Sequence, residues 1–190
     1  MATPKELLGP NGPIFDGSTP FGGYTADVLT PGTGISTGTG TIYQSWVGQD
    51  GPFIKTVIFI DLTGLASSTA GDIIGKDGGT ANCHIGQITT AVNGQIVKGI
   101  MSCAETPAVG EPDIDLWSAT EATGAEDAAV SGLTETAILD AAIDWTKGRQ
   151  LPFTGNVAAN QYLYLASSGG GDVGVYTAGQ FMIELWGIRV

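Results

Sequence analysis

Glycine decides most of what this chain can become. Thirty of its 190 residues are glycine, spread along the whole length, against a usual share of about 7 %. A glycine inside a helix costs about 1 kcal/mol relative to alanine, so a chain interrupted this often cannot hold long helices. The one window with helical spacing is residues 133–144, LTETAILDAAID. There Leu133, Ala137, Ile138 and Ala141 recur at helical intervals, and Ser131 or Thr134 stands ready as a cap. A short satellite helix is expected at that point. Everything else reads as strands and turns.

The strand signals begin at residues 53–62, FIKTVIFIDL, a run rich in Val, Ile, Phe and Thr and bounded by Gly51-Pro52 and Gly64. Its continuous apolar stretch, residues 57–60, predicts cover on both faces. Residues 72–75 form a shorter candidate. Residues 84–92 and 95–103 flank Asn93-Gly94, the pair that best favours a type I′ turn, so a hairpin is expected there. Further strands are expected at 113–119, 161–165 and 174–188. In the last of these Phe181, Ile183 and Leu185 share one side, and Met182, Glu184 and Trp186 the other. Short strands joined by turn-rich connections predict an all-β chain: a β-sandwich over residues 53–190, jelly-roll-like in its closed form.

Residues 1–52 differ in texture. They hold 11 of the 30 glycines and 6 of the 9 prolines, with single large apolar residues such as Phe15, Phe21, Tyr24 and Trp46. Proline removes a ladder donor and glycine admits unusual dihedrals, so an extended N-terminal arm is expected over 1–52. Its aromatic residues have no use in a purely solvated tail, so the arm is expected to lie on its own domain or on a neighbouring subunit. The first ten residues have no continuous apolar core, and no secretory signal is expected. No stretch approaches the length of an apolar membrane-spanning helix.

Charge narrows the partners. Seven basic residues face 19 acidic ones, a net charge of −12. Affinity for a duplex comes from cations displacing counterions from phosphate, so direct nucleic-acid binding is not expected, nor is binding to an anionic membrane surface. Ten carboxylates, from Glu105 to Asp144, lie between Lys98 and Lys147 with no basic residue among them. Oxygen clusters of this kind suit hard cations, and Asp113 and Asp115 would share a strand face with Glu111 near. The spacing matches no known calcium loop, and a solvated anionic surface is the expected reading.

Catalysis finds little to work with. The single histidine is His84, and the cysteines are Cys83 and Cys103. A two-residue Asn93-Gly94 loop would set His84 opposite Cys103, and Cys83 opposite Ala104 on the other face, which disfavours a disulfide. A thiolate–imidazolium pair is formally possible there, but Ile88, Val92, Val97 and Met101 share that face and mark it as core. Two thiols and one imidazole make no four-ligand zinc site, and the Gly-rich stretches lack the Lys-Ser/Thr of a phosphate loop. No catalytic residue, cofactor or metal is expected. Trp46, Trp117, Trp145 and Trp186 remain as aromatic faces for stacking on glycans, although Trp117 and Trp186 fall within expected strands and read as core or interface.

From Phe53 onward the chain resembles a family. Gly71-Asp72-Ile73-Ile74-Gly75, His84-Ile85-Gly86-Gln87-Ile88, Cys103-Ala104-Glu105-Thr106-Pro107 and Asp113-Ile114-Asp115-Leu116-Trp117-Ser118-Ala119-Thr120 are similar to segments of small virion proteins of marine tailed bacteriophages. Tyr162-Leu163-Tyr164-Leu165 and Tyr176-Thr177-Ala178-Gly179-Gln180-Phe181 fit the same family. Such proteins are similar to head decoration, or cement, proteins, which cover the outer shell as oligomers, often trimers, with jelly-roll or related β folds. The resemblance implies a structural protein without enzymatic activity. It would be made in the host cytoplasm and would bind the major capsid protein on the outer surface of the virion as a homo-oligomer, a trimer. Contacts are expected at Phe15, Phe21, Tyr24, Trp46 and Trp117. The rival expectation is a tail, fibre or head-surface module that reads host glycans.

Overall fold

A computed structural model describes residues 24–169 and 173–190. The chain is all-β and antiparallel throughout. Thirteen strands are described: β1 (Tyr24–Ala26), β2 (Ile42–Asp50), β3 (Phe53–Asp61), β4 (Leu65–Ser67), β5 (Gly75–Lys76), β6 (Gln87–Ile88), β7 (Gln95–Ala108), β8 (Ile114–Ala119), β9 (Glu135–Leu139), β10 (Gln150–Pro152), β11 (Gln161–Ser167), β12 (Gly174–Val175) and β13 (Ala178–Ile188). They form a six-stranded sheet in the order β1-β2-β3-β13-β7-β10, a four-stranded sheet β6-β11-β8-β9, and a small sheet β12-β4-β5. A jelly roll pairs two four-stranded sheets; sheets of six, four and three strands carry that refinement no further.

Period-two alternation builds the core. Along β3 the inward residues Ile54, Thr56, Ile58 and Ile60 are buried, while Phe53, Lys55, Val57 and Phe59 are half-exposed. Phe181, Ile183 and Leu185 of β13 point inward, as their spacing requires, and join Met101 and Cys103 of β7. Leu116, Leu163 and Leu165 of the second sheet meet them in one apolar cluster. Trp145 is fully buried in that cluster, edge-on to Phe181 at 5.4 Å, with its indole N–H donating to the Ile114 carbonyl at 2.8 Å.

The two large sheets treat their second faces differently. On β11 the residues Leu163, Tyr164, Leu165 and Ala166 are all buried. The loop after β8 closes over Tyr164, whose hydroxyl donates to the Glu121 carbonyl at 2.8 Å and accepts from the Gly124 amide at 3.3 Å. The expectation that residues 57–60 are covered on both faces does not hold for β3 in the same way, because no segment of the described chain closes over Val57 and Phe59.

Several expectations need correction. Of residues 1–52, expected as an arm, Tyr24–Ala26 and Ile42–Asp50 are strands of the six-stranded sheet, joined through a short helical turn at Thr33–Ser36; β2 pairs with β3 along its full length, so the boundary at 52 falls inside a hairpin turn. Residues 1–23, with Phe15 and Phe21, lie outside the described residues. The window 133–144 is not a helix. Residues Glu135–Leu139 add as an edge strand to β8, after a 3₁₀ turn at Val130–Gly132. Thr134 caps no helix; its amide and hydroxyl both donate to the Glu121 carboxylate, at 2.9 and 2.7 Å.

Asn93-Gly94 does not close a hairpin either. Asn93 ends a helical turn, Thr90–Asn93, and is fully buried. Its side chain accepts from the Thr89 amide at 2.8 Å and donates to the Thr56 hydroxyl at 2.9 Å. Gly94 leaves that turn at φ +70°, against the Ile188 carbonyl, where a Cβ has no room. The strand that follows, β7, pairs with β13 and β10, while β6 pairs with β11. The segment expected at 174–188 likewise divides, β12 and β13 joining different sheets.

Trp145→Ala is expected to lower unfolding stability by about 3–5 kcal/mol, the usual cost of emptying a large aromatic site, read by denaturant titration. Asn93→Ala is expected to cost about 1–3 kcal/mol, because it leaves the buried Thr56 hydroxyl and the Thr89 amide without partners.

Candidate functional surface

The open face of the six-stranded sheet is set out by its register. One row across the strands is Gln44, Phe59, Met182 and Ser102; the next is Trp46, Val57, Glu184 and Ile100; a third is Lys55, Trp186 and Lys98. Alternation sends all of these to the side away from the core. Gln44, Trp46, Lys55, Val57, Phe59, Met182 and Glu184 line a shallow groove of about 410 Å³.

The rim of this groove is charged but balanced. Lys55 is ion-paired with Glu184. Trp186, nearly buried, is flanked by Lys55 at 4.9 Å and Lys98 at 4.2 Å from its ring centre, and its indole N–H donates to Asp50 at 3.1 Å. Two cations held against one indole are stabilised by its π face, and Asp50 and Glu184 offset their charge. A chain of net charge −12 therefore has a neutral, apolar patch here.

The carboxylates gather elsewhere. Glu111 is buried, and its side chain accepts from the Asp113 amide at 3.2 Å. Asp115 is buried at the start of β8 and accepts from the Ala141 amide at 2.8 Å. Burial first, then the nearby Asp140 and Asp113 charges, pushes the Asp115 carboxyl above the usual carboxylate range. Asp113 is pushed the same way by burial, then by Glu111, Asp144 and Asp140. Among the described residues no group of three or more His, Cys, Asp or Glu side chains is arranged to hold a metal ion.

The expected contact residues are dispersed. Trp46 stands on the open sheet face. Tyr24 begins the edge strand β1, opposite Gly48. Trp117 is on β8 of the other sheet, partly buried against the core, so it does not join Trp46 in one surface. His84 and Cys103 are not partners: Cys103 is opposite Phe181 on β13, and His84 packs on Tyr162. Both cysteines are free and buried; the register expected to set them on opposite faces belonged to the Asn93-Gly94 hairpin, which does not form. Burial pushes the Cys83 thiol up to about 11 and Cys103 upward too, which keeps both protonated at neutral pH. Sequence reasoning missed the sheet-face role of Val57, Phe59 and Met182. The signal was present in the apolar residues at both parities of β3, but it was read as cover by the chain itself.

No family description, characterised protein or solved structure matches this chain. Among the described residues no helix is long and apolar enough to cross a membrane.

The acidic side makes a pH prediction. Asp113 and Asp115 hold their protons to higher pH in the folded chain than in the unfolded one. The stability they give is complete below the unfolded carboxylate range, about pH 4, and is lost as pH rises through their folded values. Asp115→Asn keeps an acceptor for the Ala141 amide and removes the charge. In thermal melts it is expected to unfold later than the parent chain at pH 7.5, with the difference closing toward pH 4.

Proposed function

We propose that this protein is a structural virion protein: a decoration protein that binds the major capsid protein on the outer face of a phage head and ties adjacent capsomers together. It acts by docking and not by chemistry, as a homo-oligomer, in keeping with the trimers of the family it resembles. The observation that carries this reading is the half-exposed, neutral, apolar face that the six-stranded sheet presents among the described residues. The described residues close a loop over the second face of the four-stranded sheet but leave Trp46, Val57, Phe59 and Met182 half-exposed in one patch. Fully burying one such side chain contributes about 1.5–3 kcal/mol. One patch alone holds weakly, and a repeated lattice engaged by linked copies turns that into firm attachment.

Charge supports the orientation. The carboxylates from Glu111 to Asp144 belong to β8, β9 and the loops around them, not to the apolar groove. With the groove against the shell, the exposed members of this set, Asp127, Asp140 and Asp144, face water, where their repulsion keeps the particle soluble. An inward location would set net charge −12 against packed nucleic acid.

The test uses the full chain and heads that lack it. In purified particles the polypeptide is expected in many copies, in a fixed ratio to the shell protein. Phe59→Asp and Trp46→Asp are expected to cut head attachment about tenfold or more while their melting stays close to that of the parent. Normal attachment by both variants, or only a handful of copies per particle, overturns the reading. Arm removal is informative only if it stops before Tyr24, since a cut at residue 45 takes away part of β2.

A further inference from the structure

A second recess lies apart from the sheet face, at the junction of the segment before β2, the loop leading into β6, and the start of β11. It encloses about 550 Å³, within the roughly 300–1,000 Å³ of small-ligand sites. The rings of His84 and Tyr162 form its aromatic corner, their centres 4.9 Å apart and their planes at 59°. Asn82, Gln87, Thr30 and Thr33 bring amides and hydroxyls to the other sides. We propose that this cleft is a binding site for a neutral carbohydrate, a sugar ring stacked on the Tyr162–His84 corner and hydrogen-bonded by the surrounding amides and hydroxyls.

The chemistry of the lining selects that class. None of the side chains lining the cleft is Asp, Glu, Lys or Arg, although the chain has 26 such residues. A phosphate or carboxylate ligand would find no cation, and an ammonium ligand no carboxylate. What remains is a ligand with an apolar face and many neutral hydroxyls. A pyranose offers C–H bonds to an aromatic face and hydroxyls to neutral donors and acceptors on its edge.

His84 is set up for such a role. The His84 side chain lines the cleft, and its Nδ1 is buried with no hydrogen-bond partner. A buried nitrogen without an acceptor is better left unprotonated, so the neutral ring presents Nε2–H as a donor. Burial also holds the imidazole below its ordinary pKa, which keeps it neutral at physiological pH. Gln87 donates its amide N–H to the Asn160 carbonyl at 3.2 Å, which fixes its oxygen as the acceptor.

The walls are formed before any ligand arrives. The Gly32 amide donates to the His84 carbonyl and the Gly34 amide to the Asn82 carbonyl, both at 2.8 Å. Tyr43 donates to the Ile85 carbonyl at 2.8 Å, and the Asn160 amide to Ile88 at 2.7 Å. Gly32 is required there: a Cβ would meet the Asn82 carbonyl oxygen at 2.1 Å. A site held by backbone hydrogen bonds spends little of its binding energy on ordering.

The inference does not depend on the decoration reading. The full chain is screened on an array of neutral hexose-, N-acetylhexosamine- and sialic-acid-terminated glycans, and the strongest neutral oligosaccharide is then titrated by calorimetry. Binding to neutral glycans is expected, unchanged by EDTA and with no preference for the sialylated forms. Tyr162→Ala is expected to weaken it about tenfold or more, His84→Ala to weaken it as well, and Trp46→Asp on the sheet face to leave it unchanged. If Tyr162→Ala fails to fold, Gln87→Ala and Tyr162→Leu take its place, with melting as the check. A flat array, full binding by the Tyr162 or Gln87 variants, loss in EDTA, or selective capture of sialylated glycans overturns the assignment.

Discussion

Everything in this molecule leans on β13 being clamped between β3 and β7. It is the latest strand in chain order and yet stands in the middle of the six-stranded sheet. Its inward residues Phe181, Ile183 and Leu185 lie at the centre of the core, with Phe181 meeting Trp145 edge-on. Its outward residues Met182, Glu184 and Trp186 complete the open face. Neither the core nor the candidate docking surface exists until this strand has found partners far away along the chain. Pairing of that kind must meet its loop-closure cost before contacts reward it, which makes such topologies slow to fold.

Uneven cover of the two sheets follows from the loops. The connection after β8 is long enough to return over β11, and the Glu121 and Gly124 backbone groups hold the Tyr164 hydroxyl there. The connections flanking β3 are tight: β2 and β3 are joined by a two-residue turn at Gly51-Pro52, and β3 runs at once toward β4. Among the described residues no loop covers Val57 and Phe59. A sheet face left bare in this way needs either polar side chains or a partner, and the chain has put Trp, Val, Phe and Met there.

The sheet face and the His84 cleft are different kinds of surface. The first is flat, apolar and bordered by balanced charges, which fits a broad protein contact. The second is recessed, neutral and rich in amides and hydroxyls around two rings, which fits a small polar molecule. Their lining residues do not overlap, so a particle surface could be bound through one while the other stays open to solvent.

The sequence by itself determined the class of fold, through the Val-, Ile-, Phe- and Thr-rich run at 53–62 and the alternating run within 174–188, which hold β3 and β13, and the turn-rich connections between such runs. That charge would keep nucleic acid away as a partner is an expectation the sequence still carries. Tertiary structure decided the rest, because local patterns carry no record of distant partners. The apparent helix at 133–144 became an edge strand once β8 offered an unpaired edge, and Thr134 donates to Glu121 instead of capping a helix. The Asn93-Gly94 hairpin gave way to a buried amide that bonds Thr56, some 37 residues earlier. His84 found Tyr162 instead of Cys103 for the same reason. Which apolar face of β3 is left to a partner depends on where the other loops run, and alternation along one strand cannot say which of its two sides the rest of the chain will reach.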